Sequence, residues 1–264
     1  MPVTSKDNQW VKEWRRLSAD AKCRRERGCF AIEGVRLCGD ALASGVCCRA
    51  LLYTAQAAET YSDTLQCLLQ AAEHAVEISP ELARYMADTT HPQGVFCIAN
   101  ALDNSFTLDK INMLGIYAAL EDIQDPGNLG TIIRTAEAFG VRGVLLSGGC
   151  CDVYNPKVLR SSMGGVFRLP LLQVERMEQT IATLQQRGLV GYACVVDATA
   201  QPITQIKSKG GAVAVIGNEG NGLRPETVAA CAQQVTIPMA GRAESLNASM
   251  AAGIVLWEMT RPSR

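Results

Sequence analysis

From Leu114 onward, short apolar runs recur at intervals filled by helical periodicity. That alternation constrains the fold more than any other feature of the chain. The runs are LGIYAALEDI (114–123), VRGVLLS (141–147), VFRLPLL (166–172), LVGYACVV (189–196), GAVAVIG (211–217) and QQVTIPM (233–239). Between them fall helical patterns at 125–140, 155–165 and 176–188, a short one after Pro225, and a last one from about Ser245. Apolar strands alternating with amphipathic helices predict an α/β fold whose sheet is mainly parallel and covered on both faces.

The upstream part is a smaller α/β unit of the same character. Residues 8–27 read as helical and polar; CFAIE runs into an amphipathic helix that stops at Gly45. CCRALLYT (47–54) and GVFCIANA (94–101) read as strands, and TLQCLLQAAEHAVEIS as a helix and a short strand. Ser79 and Pro80 mark a helix start, as N-cap and first helical residue. A polar, turn-rich stretch near 102–112 reads as a linker. The expected organisation is therefore a small domain over 1–105 and a larger one over 106–264.

The chain is 48% apolar and 19% charged, which places it among globular proteins. The best membrane-helix candidate, LNASMAAGIVLWEM, is shorter than the ~18 apolar residues a span needs and is broken by Asn247 and Ser249. With no apolar stretch of signal-peptide type at its start, the chain is expected to be cytoplasmic. Eleven cysteines are scattered without a C-x-x-C, so most read as small buried hydrophobes and no structural metal is expected. The two histidines, His74 and His91, lie in no recognisable motif.

The formal net charge of −1 hides an asymmetry. Residues 1–36 hold nine basic and five acidic residues, +4 locally. Such a segment suits a polyanionic partner; a solvated charged helix explains the same charges equally well.

Ligands of parallel α/β sheets sit at the carboxyl ends of the strands, so the loops after strands carry the functional information. In DPGNLGTIIRTAEAFG, Leu129, Ile132, Ile133, Ala136 and Phe139 share one helical arc and Thr131, Arg134, Thr135 and Ala138 another. An arginine among short side chains can offer its fork of donors to a phosphate. The alternative is an i,i+3 ion pair with Glu137. In AVAVIGNEGNGL, three glycines within 217–222 let a ligand approach the backbone closely. The loop is neither G-x-G-x-x-G nor a Walker loop, and Glu219 disfavours phosphate there, so a cationic or neutral ligand fits better. In VTIPMAGRAESLNASMAAGIVLWEM, Ser245 and Asn247 are helix-cap types, and the small residues that follow invite close packing.

Together these three segments, DPGNLGTIIRTAEAFG, IGNEGNGL and IPMAGRAESLNASMAAGIVLWE, resemble in order and spacing the three motifs of the SpoU/TrmH family. These are RNA ribose 2'-O-methyltransferases of the SPOUT class. KVLRSSMGGVFRLPL is similar to the segment between the first two motifs, and FAIEGVRLCGDALASG, less specifically, to the small substrate-binding domain of many members. The resemblance covers about 114–260. It implies a C-terminal parallel-sheet domain with a deep trefoil knot, a bent S-adenosylmethionine, and a homodimer with the site at its interface. Gly217, Ile237 and Leu246 would contact the cofactor, largely through backbone. Arg134 would hold the central catalytic role, read here as clamping an RNA phosphate and stabilising the developing alkoxide. Asn128 and Asn247 would position the ribose or hold Arg134, Glu219 would orient Arg134 or the substrate, and Ser245 would complete the network. Large-subunit ribosomal RNA is the expected substrate. The competing readings are a non-catalytic RNA-binding protein on the same fold and a Rossmann oxidoreductase, the latter disfavoured by the missing G-x-G-x-x-G.

Overall fold

The computed structural model of the chain describes residues 1–102, 106–206 and 210–261. The middle of the expected linker, 103–105, and with it the boundary drawn at 105/106, lies outside them. The chain divides into two compact units: Met1–Asp103 with Tyr154–Phe167, and Asn104–Val153 with Arg168–Arg264.

The first unit contains α1 (Gln9–Ala19), α2 (Ala21–Arg27), β1 (Cys29–Glu33), α3 (Val35–Ala43), β2 (Cys48–Tyr53), α4 (Ala55–Thr60), α5 (Ser62–Ala71), β3 (His74–Glu77), α6 (Pro80–Met86) and β4 (Val95–Asn100). Its sheet runs β1-β4-β2-β3. β4 is antiparallel to both β1 and β2, while β3 is parallel to β2. The stretch 8–27 is two helices rather than one, because Asp20 leaves helical geometry and its carboxylate accepts the Lys22 N–H at 2.8 Å to cap α2. α1 is polar by composition, yet Val11, Trp14 and Leu17 are buried at a spacing of three and pack on Ala31, Ala50, Leu52, Phe96 and Ile98. Ser79 caps α6 as expected, accepting the Leu82 N–H at 3.2 Å.

The second unit continues with β5 (Ile116–Leu120), α7 (Pro126–Ala138) and β6 (Val144–Ser147). The chain then passes through α8 (Pro156–Ser162) and the single turn α9 (Gly165–Arg168), which up to Phe167 belong to the first unit, and the second unit resumes with β7 (Leu171–Val174), α10 (Met177–Gln186), β8 (Val190–Cys194), β9 (Gln201–Pro202), β10 (Ala212–Ile216), α11 (Pro225–Ala230), β11 (Gln233–Thr236) and α12 (Ala248–Thr260). The sheet order is β7-β6-β5-β10-β8-β11-β9, and every neighbouring pair is parallel. The central strands β5 and β10 are buried on both faces, so they read as unbroken apolar runs. Tyr117, Ala119, Val213 and Val215 pack with Met177, Ile181 and Leu184 of α10. On the opposite face α12 packs on β5 and β10 and against α7.

Two expectations from the sequence need correction. VFRLPLL is not one strand. Gly165–Arg168 form the helical turn α9, with Gly165, Val166 and Phe167 buried. Phe167 stacks on Phe30 at 6.1 Å. Pro170 has no N–H to give a ladder, and β7 begins just after it. The last helix starts at Ala248, not near Ser245. Asn247 caps it, accepting the N–H groups of Ser249 at 2.9 Å and Met250 at 3.2 Å. One cap residue suffices, so Ser245 is left in the preceding loop.

Of the eleven cysteines, all free, Cys29, Cys38, Cys48 and Cys97 are buried and Cys47 and Cys67 are exposed; the other five are intermediate. No helix of the described residues is long and apolar enough to cross a membrane.

Candidate active site

β5 and β10 are adjacent and parallel, with Leu120 opposite Ile216. Their following loops therefore leave the sheet side by side, and both approach the loop between β11 and α12.

The loop after β10 is built on itself. Asn218 and Gly222 exchange two backbone hydrogen bonds of 3.0 Å, and the Asn218 carboxamide oxygen accepts the N–H groups of Gly220 and Asn221, each at 3.0 Å. Gly222 takes φ 68°, which favours glycine. A Cβ on Gly217 would stand 2.2 Å from the Gly222 carbonyl carbon. Gly217 is thus required first by its own loop, before any ligand is considered.

Glu219 points from this loop to the start of α7. Its Oε1 accepts the Asp125 N–H and the Asn128 Nδ2, both at 3.1 Å, and its Oε2 accepts the Gln124 N–H at 3.2 Å. Burial works to raise its pKa, but the hydrogen bonds from Asn128 and the backbone outweigh that and hold it below the ordinary glutamate value. A lowered folded pKa means the bracing is fully present above the unfolded value and is lost only as pH falls through the folded one. Glu219 is therefore an anion throughout the neutral range, with its acceptors committed.

Asn128 passes the link on. Its Oδ1 accepts Asn247 Nδ2 at 2.9 Å, and Asn247 caps α12. Glu219, Asn128 and Asn247 thus join the loops after β10, β5 and β11 in one chain of hydrogen bonds. Neither Glu219, Asn128 nor Asn247 bonds to Arg134.

Arg134 lies on the outer arc of α7 and is exposed, while Leu129, Ile132, Ile133 and Ala136 are buried as the helical pitch requires. The ion pair with Glu137 does not form. Glu137 is taken by Arg168, at 3.0 Å from its Nε. Among the described residues Arg134 has no hydrogen bond or ion pair, so its donors are free for a ligand.

A cavity of about 490 Å³ opens at the carboxyl ends of β10, β8 and β11. Five of the eight expected site residues line it: Gly217, Glu219, Ile237, Ser245 and Leu246. Asn128, Arg134 and Asn247 do not. Ile216, Val235, Ala251 and Val255 supply apolar wall, and Glu244 adds a second carboxylate.

Sequence reasoning overlooked the brace beneath these loops. Glu121 is 1% exposed, and its carboxylate accepts the Arg224 N–H at 2.8 Å and the Thr227 hydroxyl at 2.5 Å. Asp122, at φ 56°, accepts the Arg224 guanidinium at 2.5 Å and the Ser147 hydroxyl at 2.7 Å. Burial raises the Asp122 pKa, yet the Arg224 and Ser147 hydrogen bonds bring it below the usual carboxylate value. The signal was two acids directly after an apolar strand, in LEDI.

The profile of the SpoU rRNA methylase family matches residues 115–257, which spans every element of this site. The chain belongs to the SpoU rRNA methylase family. The MRM3-like substrate binding domain matches residues 8–97. An uncharacterized tRNA/rRNA methyltransferase of Synechocystis is 35% identical over 98% of this chain and 93% of its own. The 23S rRNA (guanosine(2553)-2'-O)-methyltransferase RlmP of Bacillus subtilis is 29% identical over 97% of this chain and 98% of its own. Among solved SpoU-like structures, the AdoMet-bound rRNA methyltransferase from Sinorhizobium meliloti superposes with a TM-score of 0.86 at 31% identity, covering 98% of this chain and 97% of that one.

Proposed function

We propose that this chain transfers a methyl group from S-adenosylmethionine to a ribose 2'-hydroxyl of large-subunit ribosomal RNA. The observation that carries the reading is the hydrogen-bonded union of the three motif loops, through Glu219, Asn128 and Asn247, beside a cavity at the strand ends. The cavity fits the cofactor. Its volume is that of a small-molecule site, its apolar wall suits an adenine, and Glu219 and Glu244 suit a cationic sulfonium. Gly217, Ile237 and Leu246 would hold the cofactor, with Ser245 at the cavity wall. When bound, it supplies an electrophilic methyl group. The chain's own task is alignment and charge stabilisation. The free Arg134 fork would clamp an RNA phosphate and lower the energy of the alkoxide. Asn128 and Asn247 would hold the substrate-side loops in place, and Glu219 serves as their anchor rather than as a partner of Arg134.

Residues 1–105 are assigned to RNA binding and 106–264 to transfer, with a trefoil knot in the C-terminal part. The test is transfer of labelled methyl from S-adenosylmethionine to unmodified large-subunit rRNA, followed by 2'-O-methyl mapping in RNA from a deletion strain. A labelled base in place of a labelled ribose, or no labelled RNA at all, would overturn the assignment.

A homodimer is part of the proposal. On α12, Met250 and Trp257 are 60% and 55% exposed at a spacing of seven, and Trp257 packs on Phe139 beside α7 at 5.4 Å. Arg134 does not line the cavity of its own chain, so a site completed at this apolar face fits both facts. Trp257→Glu is expected to give a monomer by light scattering and to cut methyl transfer at least tenfold. A dimeric variant with full activity would place the contact elsewhere.

A further inference from the structure

The structure sorts the cations behind the +4 charge of residues 1–36 into distinct groups. Arg24 is buried, donating to the Leu17 and Ser18 carbonyls at 2.6 and 3.1 Å. Arg27 pairs with Glu13 at 3.3 Å, and Lys22 lies 3.7 Å from Glu26. These charges are spent inside the unit. Lys12, Arg15 and Arg16 instead share the solvent face of α1, at i, i+3 and i+4. Among the described residues the one ion pair on that face is Lys12 with Asp7, at 2.7 Å.

Arg15 is held in an unusual way. Its guanidinium lies over the Tyr85 ring at 5.1 Å, and the Lys6 ammonium lies over the same ring at 4.3 Å. Tyr85, on α6, is 40% exposed. A carboxylate in its place would fix these cations and cancel them. A ring face fixes them through its quadrupole and leaves their charge intact. Two cations gathered on one aromatic ring, with Arg16 exposed on the same helix face and in no ion pair among the described residues, form a surface that an external anion would stabilise.

We propose that Lys6, Arg15, Arg16 and Tyr85 form the surface by which the first unit grips the phosphate backbone of the substrate RNA. The inference rests on the rRNA methyltransferase reading above and adds the first unit's residues that hold the substrate. Three cations of one surface suit a run of phosphates, and the Tyr85 ring holds two of them in place with their charge intact. Contacts of this kind carry affinity and register rather than sequence.

The test uses the full chain and an unmodified large-subunit rRNA transcript. RNA affinity is measured by filter binding across a salt series. Lys6→Gln/Arg15→Gln/Arg16→Gln is expected to weaken binding at least tenfold and to flatten the plot of log affinity against log salt by about 2, from ~0.7–0.9 per lost phosphate contact. Its S-adenosylmethionine affinity and thermal melt should stay at wild-type values. The control Lys22→Gln/Arg25→Gln/Arg36→Gln removes the same charge from exposed positions elsewhere and should leave the slope nearly unchanged. Tyr85→Ala should weaken binding severalfold with little change of slope. An unchanged slope in the first triple variant, or an equal drop in the control, overturns the face as the RNA grip. A wild-type chain that binds no rRNA instead overturns the functional reading beneath it.

Discussion

Arg134→Ala is expected to lower methyl transfer by about 10²–10³ or more while cofactor affinity stays within twofold and the melting temperature hardly moves. Each part has its own ground. Arg134 is exposed and makes no hydrogen bond or ion pair among the described residues, so its removal leaves nothing unsatisfied in the free protein. It does not line the cavity assigned to the cofactor. A guanidinium donates hydrogen bonds and accepts none, so its contribution to a 2'-hydroxyl reaction is electrostatic and geometric. Arg134→Lys should fail nearly as badly, because an ammonium cannot reproduce a planar two-pronged grip. The pair of variants is to be assayed by single-turnover transfer and by calorimetric titration of S-adenosylmethionine. Loss of cofactor affinity in step with activity would make Arg134 a cofactor ligand or a structural residue. Full activity in the lysine variant would leave charge alone as the requirement.

The elements of the second unit were legible because their signals are local. The runs ending in Leu120 and Ile216 are apolar on both faces, and α7 follows from Asp125 and Pro126 together with a clean helical arc. The site residues were legible as types, through three motifs, but their partnerships were not. Glu219 meets Asn128 across 91 positions and Asn247 meets Asn128 across 119. No periodicity encodes such pairings; they follow from β5 and β10 being sheet neighbours although four strands separate them in the chain. The expectation that Glu219 orients Arg134 or the substrate was formed without that pairing; Glu219 braces Asn128 and makes no hydrogen bond to Arg134. The i,i+3 alternative for Arg134 failed for a similar reason, since the competing Arg168 is remote in sequence. The first unit's mixed sheet was also hidden. A strand inserted between two earlier ones, as β4 is between β1 and β2, looks the same in sequence as one added at an edge.

Replacement of Gly217 is expected to be the most damaging change in the cofactor cavity. A side chain there would fill ligand space. The geometry gives a stronger reason. A Cβ would approach the carbonyl carbon of Gly222 to 2.2 Å and the Leu223 nitrogen to 2.3 Å, and both are backbone atoms that cannot rotate away. The hairpin-like loop 217–222 must then move, and Glu219 with it, which loosens the anchor of Asn128. Gly217→Val should therefore weaken S-adenosylmethionine binding by more than tenfold, at least ~1.4 kcal/mol, and should also lower the melting temperature. Gly217→Ala should do most of the same harm, since the clash begins at Cβ. The stability loss calls for a matched comparison. Leu184→Ala, in the core under α10 and fully buried, should cost about 2–5 kcal/mol of stability yet leave affinity nearly intact in the folded fraction. Titration and melting of all three variants separate the effects. Affinity lost in the glycine variants but kept in Leu184→Ala assigns the cofactor to this loop. Unchanged affinity in Gly217→Ala and Gly217→Val would remove the cofactor from the loop, and the assignment of Gly217, Ile237 and Leu246 with it.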